Sequence, residues 1–142
     1  MDLGSDRRRP RGFLPVGIFF FFGAGMASYA AITLYQPATI LDRAWALNPI
    51  AHAQLSGLGK VGAVPFAVVA VMLLLAGIGW LRCRYWGWLL GVALIATNLA
   101  GDVANLAMGN RFKGGIGIVI AGLLLTYMTR PGVRQYFLPR LD

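Results

Sequence analysis

The chain has 142 residues, 58% of them hydrophobic and only 13% charged. Soluble globular domains carry about 25% charged residues, and disordered chains are poor in apolar ones, so both classes are excluded. The net charge of +8 would suggest a nucleic-acid partner for a soluble protein. Here the cations sit at the ends of apolar runs, which points to anionic lipid headgroups and not to nucleic acid.

Residues 1–12 form a basic segment holding Arg7, Arg8, Arg9 and Arg11. A signal peptide would place such a cluster before its apolar core, and Ser28-Tyr29-Ala30 offers small residues for cleavage. The apolar run that follows is longer than the 7–15 residues of a secretory core, so residues 13–35 are expected to remain as a first spanning helix. Gly23, Ala27 and Ala31 make a small-residue ladder along it. Tyr29, Thr33 and Gln36, spaced i, i+4, i+7, give it one polar face toward the far end.

Residues 36–60 form the one long connection. Thr39 followed by Asp42 has capping-box spacing, with Asp in place of the usual Glu. Ile40, Leu41, Ala44, Trp45 and Leu47 then fall on one apolar stripe. Asn48-Pro49 reads as a cap with proline in the first turn of a second short helix, which runs through His52 and Leu55. The expectation is a helical lid lying in the membrane interface.

Residues 61–81 contain no charge and make the second span. Arg82, Cys83 and Arg84 form the turn after it, and a lone cysteine excludes an internal disulfide. Residues 86–108 make the third span. Gly87 and Gly91, then Ala96, Ala100 and Ala104, form further small ladders that suit packing within the chain or a seam between copies. Residues 114–129, the fourth span, are the shortest. A basic tail, 131–142, carries Arg134 and Arg140 after Arg130. The expected fold is all-α, a polytopic four-helix transmembrane domain over residues 13–130.

Four spans put both termini on one side. That side holds Arg7, Arg8, Arg9, Arg11, Arg82, Arg84, Arg130, Arg134 and Arg140, against Arg43, Lys60, Arg111 and Lys113 on the other. Nine against four makes the termini cytoplasmic.

The third span carries the strongest polar signal. Asn98, Asp102 and Asn105 fall within about 60° of one another on a helix. A carboxylate at the bilayer centre costs about 2.5–3.5 kcal/mol on insertion scales, so this face is expected to point inward. With Tyr29, Thr33, Gln36, His52 and Gln54 it would build an outward polar pocket around Asp102. The blander alternative is an interhelical hydrogen-bond lock, or pairing with Arg111 or Lys113. Enzyme chemistry fails by inventory: no glutamate occurs, one histidine occurs, and no serine sits in a nucleophile elbow. No catalytic residue, metal site or cofactor is expected.

The set Leu41-Asp42-Arg43-Ala44-Trp45-Ala46-Leu47-Asn48-Pro49, Tyr85-Trp86-Gly87-Trp88, Asn98-Leu99-Ala100-Gly101-Asp102 and Arg130-Pro131-Gly132-Val133-Arg134-Gln135-Tyr136-Phe137 resembles small four-helix bacterial integral membrane proteins with no assigned activity. The resemblance implies a bacterial inner membrane. Small multidrug resistance exporters share the size, but their essential first-helix glutamate has no counterpart here. The expectation is a non-enzymatic accessory or scaffold subunit that binds anionic lipid and other membrane subunits or itself. The alternative is a small oligomeric proton- or cation-coupled transporter or channel using Asp102.

Overall fold

A computed structural model describes residues 9–47, 49–109 and 111–138. Every regular element among them is helical: α1 (Phe13–Tyr35), a 3-10 helix (Ile40–Leu47), α2 (Pro49–Ser56), α3 (Gly59–Leu81), α4 (Tyr85–Ala107), α5 (Arg111–Thr129) and α6 (Pro131–Phe137). Three of these, α1, α3 and α4, are long and apolar enough to cross a membrane. A fourth span arises if Gly114–Thr129 and Pro131–Phe137, bent by 63°, count as one. Helices are the expected solution, because lipid offers no partner for a free backbone N–H or C=O.

The chain divides into two compact units. One comprises Met1–Ile18 and Leu75–Asp142, and the other is Phe19–Leu74. The first unit is organised by aromatic side chains. Trp80 is fully buried. Its ring lies 5.4 Å from Phe13 and 4.6 Å from Phe137, and Tyr136 meets Phe13 edge-on at 5.9 Å. Its indole N–H donates to the Phe13 carbonyl at 2.7 Å. Trp88 repeats the device, donating to the Met128 carbonyl at 2.9 Å. Met128 lies in the last turn of α5, where carbonyls lack helical partners.

Residues 131–137 therefore differ from the basic tail read in the sequence. Pro131 opens α6, and Val133 and Phe137, one turn apart, are both buried. Arg140 and the N-terminal Arg7 and Arg8 lie outside the described residues, as does the Asn48 cap.

The turn between α3 and α4 is a Schellman motif. Arg84 N–H donates to the Gly79 carbonyl and Cys83 N–H to the Trp80 carbonyl, both at 2.9 Å. This leaves Cys83 at φ +54°, a position usually taken by glycine. The end of α4 uses the expected residue at the same place, Gly109 at φ +96°. Beside the turn α3 and α4 touch: a Cβ on Gly79 would lie 2.6 Å from the Gly87 Cα. Neither position tolerates a side chain. At the far end of the α4–α5 hairpin, a Cβ on Gly114 would lie 2.8 Å from the Asp102 carbonyl oxygen.

In the second unit, Phe20, Ala24, Ala27, Thr33 and Leu34 of α1 are buried, as are Ala63 and Ala70 of α3. Gly23 lies in ordinary contact with Leu73. The small ladders thus fare differently. Ala27, Gly87 and Gly91 are buried and Gly23 is half-buried, whereas Ala96, Ala100 and Ala104 are exposed.

A left-handed conformation at a non-glycine residue costs about 1–2 kcal/mol. Cys83→Gly is therefore expected to leave the turn intact and raise the midpoint of thermal unfolding in detergent, whereas Cys83→Val lowers it. A midpoint unchanged by both substitutions would mean that the turn is not under this strain.

Candidate functional site

The polar residues singled out in the sequence fall into two assemblies. In the Phe19–Leu74 unit, the segment after α1 is strapped back onto that helix. The Tyr29 hydroxyl donates to the Leu41 carbonyl. The Trp45 indole N–H donates to the Thr33 hydroxyl oxygen at 2.9 Å, and Thr33 donates in turn to carbonyls of its own helix, Tyr29 and Ala30. Among the described residues of this unit Thr33 is the buried polar one, and its hydroxyl both donates and accepts. His52 of α2 lies against Trp45, ring centroids 5.3 Å apart. Gln36 and Gln54 are exposed. The Lys60 ammonium sits 5.1 Å from the Tyr35 ring.

The bend leading into the strap departs in detail from a capping box. The Asp42 carboxylate accepts the Ala38 N–H, one residue before the expected Thr39, and the Thr39 hydroxyl donates to the Gln36 carbonyl. Ala38 takes φ +69°. The resulting helix is 3-10, a form suited to short connectors. Pro49 stands at the first position of α2, as read. These contacts commit Tyr29 and Thr33 to holding the strap.

Asp102 belongs to the other unit, on α4. It is half-buried, and its carboxylate accepts the Asn98 side-chain N–H at 3.1 Å. Asn105 is exposed. The decisive neighbour is Gly117 of α5: a Cβ there would overlap the Asp102 carboxyl group. Gly114, one turn earlier on α5, accommodates the α4 backbone at Asp102 and Leu106. The Gly114–Gly117 pair is thus a notch for Asp102, and the sequence reading passed over it. Its signal was present in Gly114-Gly115-Ile116-Gly117, where two glycines three residues apart share a helix face. The Lys113 side chain lies outside what is described.

Among the described residues, no three His, Cys, Asp or Glu side chains come together. The described arginines of the set expected on the cytoplasmic side, Arg9, Arg11, Arg82, Arg84, Arg130 and Arg134, are all exposed.

The notch makes the two positions energetically dependent. Gly117→Ala is expected to destabilise the protein by about 1–3 kcal/mol through overpacking. Asp102→Ala removes the group it strikes, so the double variant is expected to recover part of that loss. Unfolding midpoints of the four proteins in one detergent read the coupling, and strictly additive losses would place the carboxylate elsewhere.

No protein-family model, curated protein or solved structure matches the chain, so its functional reading rests on these residues alone.

Proposed function

We propose that the chain is a non-enzymatic multi-pass protein of the bacterial inner membrane, acting as an accessory or scaffold subunit of a larger membrane complex. In this reading α5 is the fourth span and α6 follows it at the cytoplasmic surface, both termini are cytoplasmic, and the strapped segment 36–60 lies in the outer interface. The cation count of nine against four supports the orientation. Exposed Ile40, Ile50 and Leu58 support an interfacial lid.

The observation that carries the subunit reading is the uncovered outer half of α4. Ala96, Asn98, Ala100, Gly101, Ala104 and Asn105 are exposed, and a Cβ on Gly101 would meet nothing within 4 Å. In a bilayer the Asn105 amide, and the part of the Asn98 amide not bonded to Asp102, would face hydrocarbon, an unfavourable place for a polar group. A helix from another chain covers them at close range, because small residues let backbones approach and amides bond across the seam.

A second reading is a small oligomeric proton- or cation-coupled transporter or channel. It is favoured by one fact, that the half-buried Asp102 carboxylate is held by a neutral amide.

The complex is tested by purifying the protein from its native membrane in mild detergent and identifying everything that co-purifies. Stoichiometric foreign subunits are expected, and a clean homo-oligomer would overturn the accessory role. The role of Asp102 is tested separately. Asp102→Asn keeps a hydrogen-bonding group and removes the charge, so a subunit is expected to assemble nearly as before, while Asp102→Leu assembles poorly. Loss of ion-dependent transport in the folded Asn variant would instead establish the transporter.

A further inference from the structure

Arg9, Arg11, Arg82, Arg84, Arg130 and Arg134 come from three stretches of sequence, and the fold brings them to one end of a single unit through two tyrosines. The Tyr136 hydroxyl accepts the Cys83 thiol at 3.6 Å, which sets α6 against the Arg82–Arg84 turn, and the Arg9 guanidinium lies beside the same phenol. Arg9 also stands 5.7 Å over the Phe13 ring. The Tyr127 hydroxyl donates to the Arg11 carbonyl at 2.6 Å, with Arg130 alongside. Arg134 follows one turn after Arg130.

All six side chains are exposed. The acidic residue among the described residues of this unit, Asp102, lies seventeen residues beyond Tyr85 along α4, about 26 Å away by helical rise. Asp102 therefore does not compensate the cluster. The helical turns leading away from it expose Leu14, Ile18, Leu81, Trp86 and Leu89, so the cations adjoin an apolar collar. Guanidinium forks beside acyl-binding surface match a phospholipid phosphate with its chains.

We propose that this end of the unit is a binding site for an anionic phospholipid carrying two phosphate groups. The arginines divide into two sets by what the tyrosines tie together: Arg9 beside Tyr136, which contacts Cys83 of the Arg82–Arg84 turn, and Arg11 and Arg130 at Tyr127, with Arg134 following in α6. One set serves each phosphate. A lipid with one phosphate engages one set and leaves the other without its anion. The inference rests on the membrane reading alone and is indifferent to the choice between subunit and transporter.

The test uses the full chain in a neutral detergent and counts retained lipid by native mass spectrometry. Cardiolipin, phosphatidylglycerol and inorganic phosphate are the probes. One cardiolipin per chain is expected, bound about tenfold more tightly than phosphatidylglycerol, a difference of about 1.4 kcal/mol, and not displaced by millimolar phosphate. R84Q/R130Q, one change in each set, is expected to lose about tenfold in cardiolipin affinity. R43Q/R111Q makes the same change in charge away from the cluster and is expected to lose nothing. The first variant still leaves seven cytoplasmic cations against four, which preserves orientation. If it does not accumulate, R82Q and R134Q measured singly are expected to weaken binding in the same direction.

Equal affinity for the two lipids, displacement by phosphate, or equal loss in R43Q/R111Q would each overturn the proposal. Carbonate-resistant retention of the unaltered protein in membranes is read alongside. Its absence would refute the membrane reading itself, whereas its presence with unselective lipid binding would refute only this site.

Discussion

Trp80 has one indole N–H, and its side chain is fully buried. A buried donor left without an acceptor costs about 1–3 kcal/mol, and the rings around this one, Phe13 and Phe137, offer no oxygen. The Phe13 carbonyl supplies it, which fixes the start of α1 relative to the end of α3. The same rings bring in α6, because Phe137 completes the enclosure of Trp80. Trp88 ties α4 to the last turn of α5 in the same way. Gly79 opposite Gly87 lets α4 approach α3 closely between these two anchors. Two aromatic donors and two glycines therefore set this unit.

Hydropathy made the long helices legible, since twenty apolar residues in a row admit few other structures. The read boundaries of the first span and the observed Phe13–Tyr35 coincide. The starts of α3 and α5 lie two and three residues earlier than read, at Gly59 and Arg111, because tight glycine-containing turns let the helices begin while still polar. The burial of residues 131–137 was not legible. Three charged or polar residues among seven resemble a surface segment, and only the distant Trp80 ring makes Phe137 a core residue. The polar strap was half legible. Tyr29, Thr33 and Trp45 each stood out by type, but helical spacing cannot say which of them meet across a bend that starts from a left-handed Ala38.

Asp102 shows the limit of reading one helix at a time. The i, i+4, i+7 pattern gave a set of directions and said nothing about depth or neighbour, and Asn98 and Asn105 are exposed while Asp102 is half-buried. What positions the carboxylate is a residue with no side chain: Gly117 leaves the space that Asp102 fills. The Asn98 amide then satisfies one carboxylate oxygen from the same helix. Polar pattern marks where a membrane helix needs company, and small residues on the facing helix mark where company can fit. The two signals are informative together, since Asp102 and Gly117 each read blandly without the other.

The break at Arg130–Pro131 follows from the same geometry. The apolar part of α5, Gly114–Thr129, covers about 24 Å by helical rise, against about 30 Å of hydrocarbon. Continuing straight would drive Arg130 and Arg134 further along the bilayer normal and leave Phe137 without its place beside Trp80. Pro131 cannot continue the preceding helix, because it lacks an N–H and clashes with the turn before it. The chain instead turns by 63° and lays Val133 and Phe137 inward. In the proposed reading of α5 as a fourth span, a span this short would bring its arginines to the level where headgroups lie, with the long side chains covering the difference. In the proposed membrane placement, the bend that buries an aromatic ring also sets the height of this end of the unit.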